Sequence, residues 1–474
     1  MNEHYKIERF IEFEQEHQLF DLVIGGISVW HPIRFMVYME ILKSHSYFED
    51  IRNISLSKKI FLQLKQIPDI IFKYPHVSFR KKDVLIFNHH RRVKDGAYYT
   101  CLYTDMIIND LEIPNVVVEE PILGEHRKPI ENKNIIYTDY INLITKIKSR
   151  LFRKKYITAD DRVKVEELIK KINSEFEVDF KLDDLGNKII NLIATYKYMY
   201  SHYEKMIRKI NPKVIIEVVS YGLTRFIIND IAKNKNIPTI ELQHGTMGQH
   251  HLAYNFSKKM DLSTFPDYVF VFGQFWKENT RFPINESNVK VVGWPYFEQK
   301  VKESKSKITK NDREVILFIS QHTIGKQLSK AAVEVSNRIK DSYKVIYKLH
   351  PAEYASWKKD YPWLIDSKVE VIDNNEHDMH YYFAKADKQV GVYSTAVFEG
   401  LGYELETFIW KLYGYHHMQD LLNKERVCLV DSVDEFVSLI TSSERQKNSY
   451  DKSFFWKENS INNIIQEVDE IIKN

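Results

Sequence analysis

Short, nearly continuous runs of apolar β-branched residues alternate with longer helix-patterned stretches along most of this chain. That alternation restricts it to an α/β architecture built on parallel sheets. The first half of the sequence predicts strands at 84–88, 115–119, 214–218, 239–242, 268–272 and 289–292. The second half predicts strands at 315–320, 344–349, 369–372, 388–392, 408–410 and 427–430. Strands apolar on both sides are those covered on both faces. A polar, Lys-rich stretch at 300–312 (KVKESKSKITKND) separates the two sets and has the composition of an interdomain linker. The chain's 474 residues amount to about three times a ~150-residue domain.

The expectation is two Rossmann-like domains facing a central cleft, one over 1–300 and one over 301–454. A helical insertion in the first covers about 139–210, and a final helix at 455–474 is predicted to pack back on the first domain. The run FDLVIGGISVWHPIRF carries Gly25-Gly26 between apolar segments, a two-residue hairpin signal. Of its larger side chains, Trp30 and Arg34 could reach a substrate or fill a core.

Charge balance excludes some classes of function. With 68 Lys+Arg against 65 Asp+Glu the net charge is only +3, too even for a surface that tracks nucleic acid throughout. Two cysteines, Cys101 and Cys428, do not make a disulfide scaffold or a Cys-based zinc site. No run of ~18 uncharged apolar residues suggests a membrane span, and the charged first 18 residues hold no signal-peptide core. A cytoplasmic location is the expectation. Basic-aromatic runs at 60–82 and 146–156 (KIKSRLFRKKY) fit contact with an anionic membrane face, or an ordinary solvated helix face.

Ligands of parallel α/β sheets bind beyond the carboxyl ends of the strands, so polar residues there are the candidates. Gln243-His244-Gly245-Thr246 follows the strand at 239–242, and the imidazole could serve as a general base. Downstream, Met247 to Tyr254 reads as a loop able to close over a substrate. His350-Pro351 follows the strand at 344–349; proline fixes the backbone and holds the histidine at a sharp strand exit. Lys348, on the opposite face from Leu349, reads as structural. After the strand at 388–392 come Ser394 and Thr395, either of which could cap the next helix and mark an anion site at its N-terminus. Glu399 falls one turn later, where its carboxylate could meet ribose hydroxyls. Ser320 and Gln321 end the first strand of the second set and could complete a phosphate pocket. Each of these residues alone could equally be structural.

Taken in order, ELQHG (241–245), PDYVFVFG (266–273), VVGWPYF (291–297), KLHP (348–351) and GVYSTAVFEGLG (391–402) resemble a family. They look like the GT-B glycosyltransferases of bacterial surface polysaccharides, near capsule Kdo transferases, bacterial sialyltransferases and teichoic-acid glycerophosphate transferases. The resemblance covers about 214–412. It implies that His350, Ser394 and Thr395 bind the nucleotide of a CMP- or CDP-linked sugar donor, and that His244 is the base. In the sialyltransferases the base belongs to an acidic pair followed by glycine. The nearest match here is Glu119-Glu120-Pro121, so Glu119, Glu120 or Glu217 remain alternatives. No Asp-x-Asp ends a strand, so no metal or other cofactor is expected.

The implied reaction is transfer of a sugar from a nucleotide-activated donor onto a glycan or lipid-linked acceptor. Transfer of a polyol phosphate is an alternative. So is UDP-sugar 2-epimerase-like chemistry, because the Ser-Thr pair with Glu399 also resembles the ribose-binding turn of those enzymes. A non-catalytic glycan-binding scaffold of the same fold is the remaining one.

Overall fold

The computed structural model describes residues 3–45, 81–122, 125–132, 134–152, 155–308, 312–339, 342–422, 427–442 and 450–473. Strands lie at β1 Val23–Ile24, β2 Ile27–Ser28, β3 Val84–Phe87, β4 Arg92–Asp95, β5 Tyr98–Cys101, β6 Asn115–Glu119, β7 Ile135–Tyr137, β8 Val214–Val218 and β9 Thr239–Leu242. They continue at β10 Tyr268–Val271, β11 Val289–Val291, β12 Glu314–Ile319, β13 Tyr343–Lys348, β14 Glu370–Ile372, β15 Lys388–Gly391, β16 Glu406–Trp410 and β17 Cys428–Val430. Every strand expected from the sequence is present, with ends shifted by at most two residues.

The chain divides into two compact units. One comprises Met1–Val271, Thr280–Lys290 and Ile461–Asn474; the other comprises Phe272–Asn279 and Val291–Ser460. The polar stretch at 300–312 does not mark the division, because its first eight residues finish the helix Pro295–Lys307. Alternating Lys and Glu there stabilise a solvated helix face, as in the Lys302–Glu298 pair one turn apart.

In the N-terminal unit the seven-stranded sheet runs β11-β10-β9-β8-β3-β6-β7, and every pair registered between β3 and β10 is parallel. In chain order this winds outward from β3 in one direction, then restarts beside it with β8. The β3–β8 junction is therefore a topological switch point, where such sheets bind ligands. Strand β8 shows why the run reads as doubly covered, since all five of its residues are buried.

The helices Asp139–Phe152, Ala159–Phe176 and Asn187–Ile210 occupy the expected insertion. Two of them share a core with the chain's opening helices: Phe10, Phe13, Trp30 and Ile33 pack with Ile169, Ile172, Ile189 and Ile193. The hairpin β1–β2 joins at Gly25-Gly26, both left-handed (φ 59° and 70°), as a type I′ turn requires. Trp30 is fully buried, and Arg34 forms a closed ion pair with Glu14 at 2.7 Å while also donating to the Leu252 and Asn255 carbonyls. Both residues are structural. Those two bonds, with buried Met247, Leu252 and Tyr254, also pin the stretch expected to act as a closing loop.

The C-terminal unit holds a six-stranded sheet ordered β14-β13-β12-β15-β16-β17, parallel throughout. Its winding repeats that of the first sheet, with the switch point between β12 and β15. The fold class is thus α/β with two Rossmann-like sheets. The two features the sequence did not announce as strands are the hairpin β4–β5, turned at left-handed Gly96 (φ 57°), and the three-residue β7.

Candidate functional site

Both switch points carry polar side chains. In the C-terminal unit His350 lies two residues past the end of β13 and caps the short 3-10 turn Pro351–Glu353. Its backbone N–H donates to Glu353 Oε2 at 2.6 Å, and its ring Nδ1 accepts from the Ala352 N–H at 3.2 Å. An accepting Nδ1 fixes the proton on Nε2. The exposed ring therefore presents a donor, the form suited to a phosphate oxygen.

Ser394 caps the helix Thr395–Gly402, its Oγ accepting from the Ala396 N–H at 3.3 Å, and Thr395 is exposed in the first turn. Gln321 Oε1 accepts from the Tyr393 N–H at 3.3 Å, tying the β12 exit to the β15 exit. Glu399 is half-buried one turn into the helix. Ser320 departs from expectation: its hydroxyl donates to Glu353 Oε1 and receives the Tyr347 hydroxyl, both at 3.0 Å. Buried and committed, it holds the carboxylate that clamps His350. Lys348 is structural as expected, its ammonium donating to the Asn374 carbonyl at 2.9 Å.

In the N-terminal unit His244 follows β9. Its Nε2 lies 3.2 Å from the Tyr221 hydroxyl, its backbone carbonyl receives the Tyr103 hydroxyl at 2.8 Å, and its buried Nδ1 has no partner. Burial, then His251 and Arg91, push its pKa down to about 3. An ordinary imidazole pKa near ~6.5 suits base chemistry without adjustment; here the ring is held neutral instead. Gln243 is buried with its side-chain amide on the Gly245 carbonyl at 2.7 Å, so it braces the turn. Gly245 and Thr246 are half-exposed beside it, and a Cβ on Gly245 would meet nothing within 4 Å.

The carboxylates expected as alternative bases occupy three different settings. Glu119 is locked: Oε2 meets the Arg92 guanidinium at 2.6 Å and the Asn88 amide at 3.2 Å, while Oε1 faces His126 at 3.4 Å. Burial opposes its ionisation, but His126 and Arg92 prevail and hold its carboxyl below the usual range. Glu217 is wholly buried inside the sheet, bonded at Oε1 to Asn229 at 2.9 Å, and burial pushes its pKa up to about 8. It stands directly across from Glu241 on β9, which burial raises to about 6. Glu120 is partly exposed and accepts the Thr224 hydroxyl at 2.5 Å. Neither Glu119 nor Glu217 has an oxygen open to a substrate.

Several residues at this switch point escaped the sequence reading. After β3 come Asn88-His89-His90-Arg91, with the His89 ring stacked on His90 at 4.3 Å and 6.3 Å from His244. Burial, then His90 and His244, push the His89 pKa down to about 3. After β8 the backbone turns through Val219 at φ 66°, a left-handed conformation that costs a β-branched residue about 1–3 kcal/mol. That turn brings the Tyr221 hydroxyl to His244 and the Ser220 N–H to Glu241 Oε1 at 3.0 Å. The available signal was the position of NHHRR at the end of a central strand.

Among the described residues no group of three His, Cys, Asp or Glu side chains is arranged to hold a metal, and no helix is long and apolar enough to cross a membrane. No protein-family model matches the chain, and no curated protein sequence matches it. Solved structures share its general outline. A putative UDP-N-acetylglucosamine 2-epimerase from Listeria monocytogenes is 12% identical, with a TM-score of 0.48 over 83% of this chain and 97% of that one. The UDP-GlcNAc 2-epimerase from Neisseria meningitidis bound to UDP-GlcNAc gives 13% identity and a TM-score of 0.46 over 82% and 99%. The wall teichoic acid polymerase TagF gives 10% and 0.44 over 89% and 99%.

Proposed function

We propose that this protein is a glycosyltransferase that moves a sugar from a nucleotide-activated donor, with a cytidine nucleotide favoured, onto a bacterial surface polysaccharide or glycolipid acceptor. The observation that carries the reading is the set of strand exits in the C-terminal unit. There an exposed histidine with its donor nitrogen fixed accompanies the serine-capped helix Thr395–Gly402. Helix N-terminal N–H groups and an imidazole N–H are the donors that a leaving nucleotide phosphate needs. His244 is assigned to the acceptor side: its Nε2 meets the Tyr221 hydroxyl and its buried Nδ1 has no partner, so an acceptor must open the turn before Nδ1 can take a hydroxyl proton.

On this reading His350, Pro351, Ser394, Thr395, Glu399 and Gln321 serve the donor, while His244 serves the acceptor. The transferase works on the cytoplasmic face of a membrane, and the exposed Ile147 and Leu151 beside exposed Lys146 and Lys148 support contact with anionic lipid. The other basic run, 60–82, lies outside the described residues except for Lys81 and Lys82.

Incubation with CMP-, CDP- and UDP-activated donors, with and without glycan acceptors, tests the proposal. Release of CMP or CDP coupled to extension of an acceptor is expected. Turnover of a UDP-sugar without any acceptor would replace the transferase reading with epimerisation. Transfer of a polyol phosphate would move it to that alternative, and absence of turnover of every donor would leave a binding scaffold.

A further inference from the structure

The β8 exit of the N-terminal unit holds a cationic group that the transfer reaction described above does not use. The helix Leu223–Asn234 begins there, at the switch point, with Gly222 as its N-cap and no side chain capping it. Its first-turn N–H groups are thus left for another acceptor. In the same turn Arg225 is only 5% exposed, and two of its guanidinium nitrogens, Nε and Nη1, are buried without a hydrogen-bond partner. Unpaired buried donors cost about 1–3 kcal/mol each.

The third nitrogen, Nη2, donates at 3.0 Å to the carbonyl of Asn88, the residue that follows β3. The guanidinium is therefore anchored across the junction between β8 and β3, in the position where sheets of this winding take ligands. Its nearest anionic neighbour is Glu120, whose Oε2 is 3.9 Å from Nη1, beyond hydrogen-bond range, and whose Oε1 is occupied by Thr224. The guanidinium lies over the Phe87 ring at 5.2 Å, and Arg92 of the loop after β3 is neutralised by Glu119 and Asp105, whereas Arg91 is exposed.

We propose that Arg225 and the N-terminus of the helix Leu223–Asn234 form a binding site for a phosphate group, distinct from the donor nucleotide site. A guanidinium with two free N–H edges beside uncapped helix amides matches the oxygens of a phosphate mono- or diester. Resting on the transferase reading, the occupant is a phosphate carried by the acceptor, so the acceptor is itself anionic. The site is independent of turnover and is measured without a donor.

The experiment titrates the full-length protein with glycerol 3-phosphate, dimethyl phosphate and acetate, and soaks crystals with tungstate as a heavy phosphate analogue. Binding of a phosphate ester and a tungstate peak at Arg225 are expected. Arg225→Gln should weaken binding by about tenfold or more. Because Arg225→Gln removes a buried charge and could unfold the chain, Glu120→Gln provides the opposite test. Loss of the competing carboxylate should tighten phosphate binding several-fold. Tungstate found only elsewhere, acetate binding as well as the esters, or unchanged affinity in Glu120→Gln would overturn the proposal. Normal phosphate binding in a protein that turns over no donor would leave the site standing and remove only the acceptor assignment.

Discussion

The Tyr221 hydroxyl faces His244 Nε2 at 3.2 Å, leaving Nδ1 as the only nitrogen of that ring without a partner. For Nδ1 to accept a proton, Nε2 must carry one and donate it to the phenol oxygen. The Tyr221 oxygen can accept that bond. His244→Ala should lower turnover by on the order of 10²–10⁴-fold with nucleotide affinity little changed. Tyr221→Phe should lower it by up to about tenfold, the worth of one hydrogen bond. Turnover and nucleotide affinity on the same folded preparations check both. Lost nucleotide affinity in His244→Ala would make the histidine a donor ligand instead.

His350 and Ser394 should govern nucleotide binding. CDP or CMP should raise the melting temperature of the parent protein, and His350→Ala should remove most of that shift. Equal stabilisation of parent and variant, both folded, would separate the His350 ring from the nucleotide.

The buried carboxyl of Glu217 gives the protein a defined pH response. Its folded pKa, pushed up to about 8, exceeds the unfolded value near ~4.5. Between those values the folded chain holds a proton that the unfolded chain has lost, so this group's contribution to stability falls as pH rises. Glu217→Gln keeps the amide's hydrogen bonding without the titration. Its melting temperature relative to the parent should therefore climb from about pH 5 to pH 8. A constant difference across that range would contradict the assignment.

The pair of Arg34 and Glu14 should be indispensable to the helical part of the N-terminal unit. Both side chains are almost wholly buried, at 1% and 2% exposure. Removing one partner leaves an uncompensated buried charge, so Arg34→Met should destabilise the unit by about 3–5 kcal/mol. Replacing both with apolar residues should restore much of the loss. Chemical denaturation of the single and double variants measures it.

Membrane contact predicts salt-dependent flotation. The protein should float with anionic vesicles at low ionic strength and release as salt rises, and Leu151→Glu should weaken capture. Equal flotation on neutral vesicles would remove the electrostatic component.

What the sequence disclosed and what it hid follow from burial. The strand runs were legible because a sheet covered on both faces must be apolar throughout, as β8 and β12 are. That His350 and Ser394 lie just past strand ends was legible from the apolar runs that precede them. Ser320 and Glu119 were misjudged for the same reason as each other: a polar residue at a strand end looks identical whether it meets solvent or a buried partner. Only folding brings Glu353 to Ser320 and Arg92 to Glu119. Arg225 lay hidden within an amphipathic helix, where an arginine ordinarily reads as surface. The loop after β3 was passed over because His-His-Arg-Arg looks like a solvated turn until β3 is known to be the strand at which the sheet reverses.

The return of the segment Ile461–Asn474 to the unit begun by the chain's first helices has a consequence for how the protein is made. Ile464, Val468 and Ile471 are buried, and Glu467 pairs with Lys290 at 2.9 Å. The N-terminal unit therefore lacks part of its core until the segment Ile461–Asn474 has left the ribosome. By then the whole of the intervening unit has already emerged and can fold. The half of the molecule synthesised first is the half completed last.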